Sequence, residues 1–262
     1  MVVPAFLGVI VGLSLLENAL VSSVVGDELV RRVLGGDREA DSRLSRYLYN
    51  EGFINRLRDF ACGDLVRCCA EGSSVVLLRR LLGGDVIRVK FYATDTASSQ
   101  LCTVALVRCL TSKSRELGVE VDGYTRVQFF GTENFSDGLG NLVRALGSDL
   151  IDYISRGFDA YVSIAGGTKL ESVMASMVAW LLGAKPIYVT VDGRLIVLPR
   201  MPLRVDDELV SKVLSGALGG LPRDLLSDLV RSGFLVRRGD SVELAPWFRE
   251  FLNLTRRGTP GA

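Results

Sequence analysis

The sequence predicts an α/β protein: a doubly wound, mostly parallel sheet followed by a small C-terminal module. Three observations predict it. Short apolar runs each end in a polar loop and then a helical pattern, the signature of parallel strands joined by crossover helices. The first run, Phe6 to Gly12, is apolar at every position, as a strand covered on both faces must be. After Met201, between Pro199 and Pro202, the pattern changes to helices and a short hairpin. The expected domains are therefore residues 1–201 and 202–262.

The elements follow in order. The Phe6–Gly12 strand leads into a helix near Ser14. The run Val2–Leu16 is too short to span a bilayer, lacks a basic flank and a cleavage site, and is followed by Glu17, so neither a signal peptide nor a membrane segment is expected. Arg38 to Ala70 is polar, Arg-rich and helical in pattern, and reads as an exposed insertion or helical pair. A second strand, Val86–Ala93, precedes Thr94-Asp95-Thr96 and a helix to about Leu117. A third, Arg126–Phe130, precedes Gly131-Thr132-Glu133-Asn134 and a helix from Ser136 to Arg156. A fourth, Ala160–Ile164, precedes Ala165-Gly166-Gly167-Thr168-Lys169 and a helix to Leu182. Asp192-Gly193 between Pro186–Val191 and Leu195–Leu198 is a two-residue hairpin signal. In the tail, helices at Asp206–Leu214 and Arg223–Arg231, strands Phe234–Val236 and Val242–Leu244, and a helix from Pro246 have the shape of a winged helix-turn-helix. Right-handed crossovers put the strand C-terminal ends on one edge, so the loops after them converge on one site.

Composition narrows the chemistry. The 262 residues carry 31 basic and 30 acidic side chains and no histidine. Mechanisms that need imidazole are excluded, among them Ser-His-Asp triads and His-ligated zinc. No metal site and no cofactor is expected. The five cysteines, Cys62, Cys68, Cys69, Cys102 and Cys109, form no CxxC pair and read as small apolar packing residues in a reducing cytoplasm.

Two segments have capping-box form, Ser14-Leu15-Leu16-Glu17 and Thr168-Lys169-Leu170-Glu171. A capped helix N-terminus is also an anion site, because its free N–H groups point outward. Gly166 and Gly167 let backbone approach a ligand closely. GxxxxGK[ST] and GxGxxG are both absent, which argues against triphosphate hydrolysis and ordinary dinucleotide binding. Lys169 lies in a first helical turn, where the helix dipole disfavours a cation, so an anionic partner accounts for it best. Asn18, Thr94, Asp95, Thr132, Glu133 and Asn134 complete the candidate ligand contacts. Residues 203–262 hold nine basic and eight acidic side chains, with Asp224 and Asp228 on the candidate recognition helix. DNA binding by the tail is not expected.

Val11-Gly-Leu-Ser-Leu-Leu-Glu-Asn18 and Ser163-Ile-Ala-Gly-Gly-Thr-Lys-Leu-Glu-Ser-Val-Met174 resemble the CRISPR-associated Rossmann fold (CARF) family, above all archaeal stand-alone CARF proteins with a winged-helix tail. Where the family places Thr or a small polar residue before the N-terminal Ser, this chain has Leu13. The resemblance implies a Rossmann-like domain, a homodimer, and a shared pocket for cyclic oligoadenylate, typically the tetramer. It also implies that Lys169 and Ser14 act on that ring as catalytic residues of a ring nuclease. The reaction it implies is metal-independent attack of a ribose 2′-hydroxyl on the adjacent phosphate, leaving a 2′,3′-cyclic phosphate and ending type III CRISPR signalling. Two alternatives stay open: a ring-gated DNA-binding regulator, and a sensor or sink that does not cut. The absent histidine argues against a CARF–HEPN ribonuclease.

Overall fold

The computed structural model describes residues 3–26, 28–83, 86–128, 135–199, 201, 211–212, 215, 221–239 and 241–257. Its centre is a six-stranded sheet. The strands are β1 (Ala5–Ile10), β2 (Ile87–Thr94), β3 (Val119–Val127), β4 (Asp159–Ser163), β5 (Lys185–Val189) and β6 (Leu195–Val197). Their order is β3-β2-β1-β4-β5-β6, parallel except for the β5–β6 hairpin. All six residues of β1 are buried, and β1 lies between β2 and β4, so the expected central strand is observed.

Side-chain alternation along β1 divides the core in two. Ala5, Leu7, Val9 and Val11 face a layer built by α1 (Ser14–Val21), α2 (Glu28–Leu34), α3 (Arg38–Leu44), α4 (Glu51–Gly63), α5 (Leu65–Cys68), α6 (Ala70–Leu82) and α7 (Ala97–Ser112). Phe6 and Ile10 face α9 (Phe135–Ser155) and α10 (Lys169–Leu182) on the other side. A short α8 (Ser114–Leu117) leads into β3.

Three expectations need correction. Residues 38–70 are not an exposed insertion, because Leu44, Phe53, Ile54, Leu57 and Ala61 are buried in the first layer. The Arg, Ser and Asn positions that made the segment look exposed belong to the outer faces of short amphipathic helices. The third strand begins earlier than its apolar run suggested. As an edge strand it exposes Glu120, Asp122, Tyr124 and Arg126 on alternate positions, so no continuous apolar stretch marks it. Finally, Cys62 and Cys109 are not separate packing thiols: they form a disulfide between α4 and α7, with Cα atoms 5.5 Å apart. The two residues lie 47 positions apart, and only the packing of α4 on α7 brings them together. Cys68, Cys69 and Cys102 are buried free thiols, and burial pushes the Cys69 and Cys102 thiols up.

In the tail, α11 (Arg223–Arg231), β7 (Leu235–Arg238), β8 (Ser241–Leu244) and α12 (Pro246–Arg257) fall close to the expected positions. The helix expected at Asp206–Leu214 lies almost wholly outside the described residues. Phe248, Phe251, Leu252 and Leu254 join the core layer of α9 and α10. Gly140 and Gly147, seven residues apart on α9, make the approach possible: a Cβ on Gly147 would lie 2.2 Å from Leu254 Cδ1, and one on Gly140 would lie 3.3 Å from the Pro246 carbonyl carbon. Arg144 completes the contact with a bidentate pair to Glu250, at 2.7 and 2.9 Å.

Candidate functional site

The sheet topology locates the site. From β1 the chain moves outward through β2 and β3, then returns to the other side of β1 to form β4. The carboxyl ends of β1 and β4 are the topological switch point, where crevices open in doubly wound sheets. A cavity of about 380 Å³ lies there. It is lined by Val11–Leu13 after β1, Gly36–Arg38 and Asp41 before and in α3, Thr94 and Thr96 after β2, and Gly167, Thr168 and Glu171 at the start of α10.

The loop after β4 behaves as its sequence suggested. Thr168 caps α10, its hydroxyl accepting from Glu171 N–H at 3.3 Å, while the Glu171 carboxylate accepts the Thr168 N–H. Gly167 adopts φ +79°. The loop is packed so tightly that a Cβ on Gly12 would lie 2.5 Å from the Gly167 nitrogen. Burial pushes the Glu171 carboxyl above the usual glutamate range, opposed by the hydrogen bonds from Thr168.

The segment after β1 departs from its expected form. Ser14 is not the helix cap. Leu13 holds that position, without a side-chain cap, and Ser14 is the first residue inside α1. The Ser14 hydroxyl instead donates to Glu71 Oε2 at 2.7 Å and accepts from Ala70 N–H at 3.2 Å. The Glu17 N–H that a Ser14 cap would accept bonds the Leu13 carbonyl instead, at 3.0 Å, and the charge-assisted bond to Glu71 orients the Ser14 hydroxyl toward α6. Glu71 Oε1 accepts from Gly12 N–H at 2.7 Å. Glu71 is only 1% exposed and abuts the β4 loop, since a Cβ on Gly166 would lie 2.3 Å from Oε1. This glutamate therefore braces both switch-point loops. Nothing local marks it, because Glu71 looks like an ordinary first-turn acidic residue of α6.

The remaining candidates divide. Thr94 lines the cavity, its hydroxyl 2.7 Å from that of Thr96. The Asp95 carbonyl accepts from Gln100 Nε2 at 3.0 Å, and Asp95 is not part of the cavity lining. Asn18 lies outside the cavity too: its amide donates to the Cys68 carbonyl at 3.0 Å, bracing α1 against α5. Thr132, Glu133 and Asn134 lie outside the described residues. Lys169 is exposed beside Thr168.

Two residues that the sequence did not mark also line the cavity. The Asp41 carboxylate caps α7, accepting from Ala97 N–H at 2.8 Å and Ser98 N–H at 3.0 Å. Arg38 is exposed at the cavity wall. The cavity carboxylates are all committed to N–H donors: Asp41 to α7, Glu171 to Thr168, and Asp37 to Ala40 N–H and Arg32. The Ala40 N–H and the Arg32 guanidinium hold the Asp37 carboxyl below its usual range. Among the described residues, Arg32 is paired with Asp37, whereas Arg38 and Lys169 have no salt-bridge or hydrogen-bond partner, so these two cations are free while the cavity's acids are not. No group of three or more His, Cys, Asp or Glu side chains among the described residues is placed to hold a metal ion. No described helix is long and apolar enough to cross a membrane.

A family model described as CRISPR-associated protein (Cas_APE2256), a CARF-type family, matches residues 66–201, more than half of the chain. The chain belongs to this family. In this family member the matched stretch contains Glu71, the loop after β4 and Lys169. Among solved structures, one described as Can2 from Sulfobacillus thermosulfidooxidans in complex with cyclic tetra-adenylate aligns at 13% identity and a TM-score of 0.33, covering 69% of this chain and 60% of that one.

Proposed function

We propose that this CARF protein binds cyclic oligoadenylate at the switch-point crevice and cleaves it as a ring nuclease. The observation that carries the reading is the Gly166–Lys169 loop. It opens α10 at the carboxyl end of β4, with its glycines against β1 and Lys169 unpaired beside the cavity. A polyphosphate ring matches a site whose acids are neutralised by N–H groups and whose cations, Arg38 and Lys169, are free.

The nucleophile in this reading is the substrate's own 2′-hydroxyl, so a chain without histidine suffices. The 2′-oxygen attacks the adjacent phosphorus in line, the bond from phosphorus to the 5′-oxygen breaks, and a 2′,3′-cyclic phosphate remains. In net terms a proton passes from the 2′-hydroxyl to the departing 5′-oxygen. The protein orients the attack and stabilises charge. Lys169 neutralises the phosphoryl oxygens and the departing oxygen, and Ser14 orders the ribose–phosphate segment. A four-phosphate ring calls for more cations than one crevice supplies, which supports a two-fold dimer around it. Leu170 and Val173, 43% and 53% exposed on α10 beside Lys169, suit such an interface.

Incubating the protein with cyclic tetra-adenylate in chelator, with products resolved by mass, tests the reading. Linear products ending in 2′,3′-cyclic phosphate are expected. Lys169→Ala should slow single-turnover cleavage by about 10² or more, the order for one preorganised charge-stabilising donor. Tight binding with no cleavage by the parent would replace the nuclease reading with the sensor reading.

A further inference from the structure

The Cys62–Cys109 disulfide presents its two sulfurs unequally. Cys109 is fully buried, whereas Cys62 is partly exposed and lines a groove of about 600 Å³ between α4 and α7. Exchange requires an attacking thiolate to reach a sulfur, so the groove opens a path to Cys62. The groove is also cationic. Arg58, Arg108 and Lys113 line it, against one acid, Asp59. Arg58 pairs with Asp59, and Arg108 pairs with Glu51. The Lys113 ammonium has no partner among the described residues, and its neighbour Ser112 has its hydroxyl 3.9 Å from Cys62 Sγ. Cations beside a disulfide attract the approaching thiolate, and attract it more when the thiol carries further negative charge.

The bond bears on the crevice as well. α7 starts at the crevice wall, where Thr96, Ser98 and Ser99 line the cavity, and it carries Cys109 near its other end. α4 follows α3, whose Asp41 caps α7. The disulfide and the Asp41 cap therefore tie α3 and α4 to α7 at two points. We infer that Cys62 is a thiol-exchange site which takes an anionic low-molecular-weight thiol from the groove, and that the disulfide is a reducible tie between α4 and α7. The thiolate attacks Cys62 Sγ and the bond to Cys109 breaks. Cys109 takes up the proton that the attacking thiol gave up, leaving a mixed disulfide on Cys62. A second thiolate then attacks the sulfur of the bound thiol and frees Cys62. The cysteine pair is reduced, and two thiols leave as their disulfide. The inference does not depend on the oligoadenylate reading.

The test incubates the oxidised protein with glutathione, with coenzyme A and with the cationic thiol cysteamine. Bond opening is followed by acid quench, alkylation and mass. Each rate is divided by that of the same thiol on the urea-unfolded protein, which removes its intrinsic reactivity. On this scale the anionic thiols should open the folded protein about 10-fold faster than cysteamine, and Lys113→Ala should slow them by about 2- to 5-fold, the size of one exposed ion pair. A larger gain for glutathione assigns the groove to a carboxylate thiol, and a larger gain for coenzyme A assigns it to a phosphate thiol. With glutathione disulfide, folded Cys109→Ala should take one mixed disulfide, at Cys62, and folded Cys62→Ser should take none at Cys109. Opening at a rate independent of thiol concentration would mean that the sulfur is reached only after unfolding, and it overturns the inference. Equal scaled rates for anionic and cationic thiols, or an adduct on Cys109 in Cys62→Ser, overturn it too. If Cys109→Ala does not fold, the parent kinetics and Cys62→Ser decide by the same criteria.

Discussion

Reducing the Cys62–Cys109 disulfide should destabilise the protein by an amount set by the loop it closes. The bond joins α4 to α7 across a separation of 47 residues. A cross-link removes conformations from the unfolded chain, and for a loop of that length the entropic stabilisation is about 4 kcal/mol at 25 °C. Set against an unfolding entropy of about 2 cal/mol/K per residue over the whole chain, that lowers the melting temperature by about 7 °C. Cys62 is the partner to replace, because it is only partly buried whereas Cys109 is fully buried. Thermal unfolding of the parent with and without reductant, and of Cys62→Ser, gives the comparison. The variant should melt with the reduced parent and ignore reductant. Alkylation under denaturing conditions should label the three free thiols before reduction and all five afterwards. Five labelled thiols in protein never exposed to reductant, or identical melting in both conditions, would refute the reasoning.

Gly166→Ala should unfold at distinctly lower urea, by about 2 kcal/mol or more. Its Cβ would sit 2.3 Å from Glu71 Oε1 and 2.6 Å from the Ile10 carbonyl oxygen, and the shift it forces strains the buried bonds of Glu71. Stability should also carry the signature of Glu171. Its carboxyl is raised in the folded state, so the folded state holds the proton more tightly than the unfolded chain does. Stability from this group is complete below the ordinary glutamate range and is lost as pH rises through the folded value. Urea midpoints of Glu171→Gln should therefore show a flatter slope between acid and neutral pH than the parent, and equal slopes would count against the assignment. Gly147→Leu should undock the last helix, because Leu254 already fills the space over Gly147. Faster amide exchange over 246–257 with an unchanged sheet is the expected result, and unchanged exchange would contradict the packing.

The order of the strands in the sheet was not legible in the sequence, whereas the succession of strands and helices along the chain, the central place of β1 and the Thr168 capping box were. They depend on local patterns: continuous apolar runs, loops between them, and a Thr three residues before a Glu. The disulfide and Glu71 were not legible, because each depends on residues far apart in the chain meeting across the fold. Cys62 meets Cys109 only because α4 lies on α7. Ser14 resembles a cap in one dimension, and in three a buried carboxylate 57 positions away claims its hydrogen. Local sequence sets which elements form, since propensity and periodicity act within a few residues. Which way a hydroxyl points at the switch point is set by a long-range partner brought up by packing, and only the tertiary structure decides that.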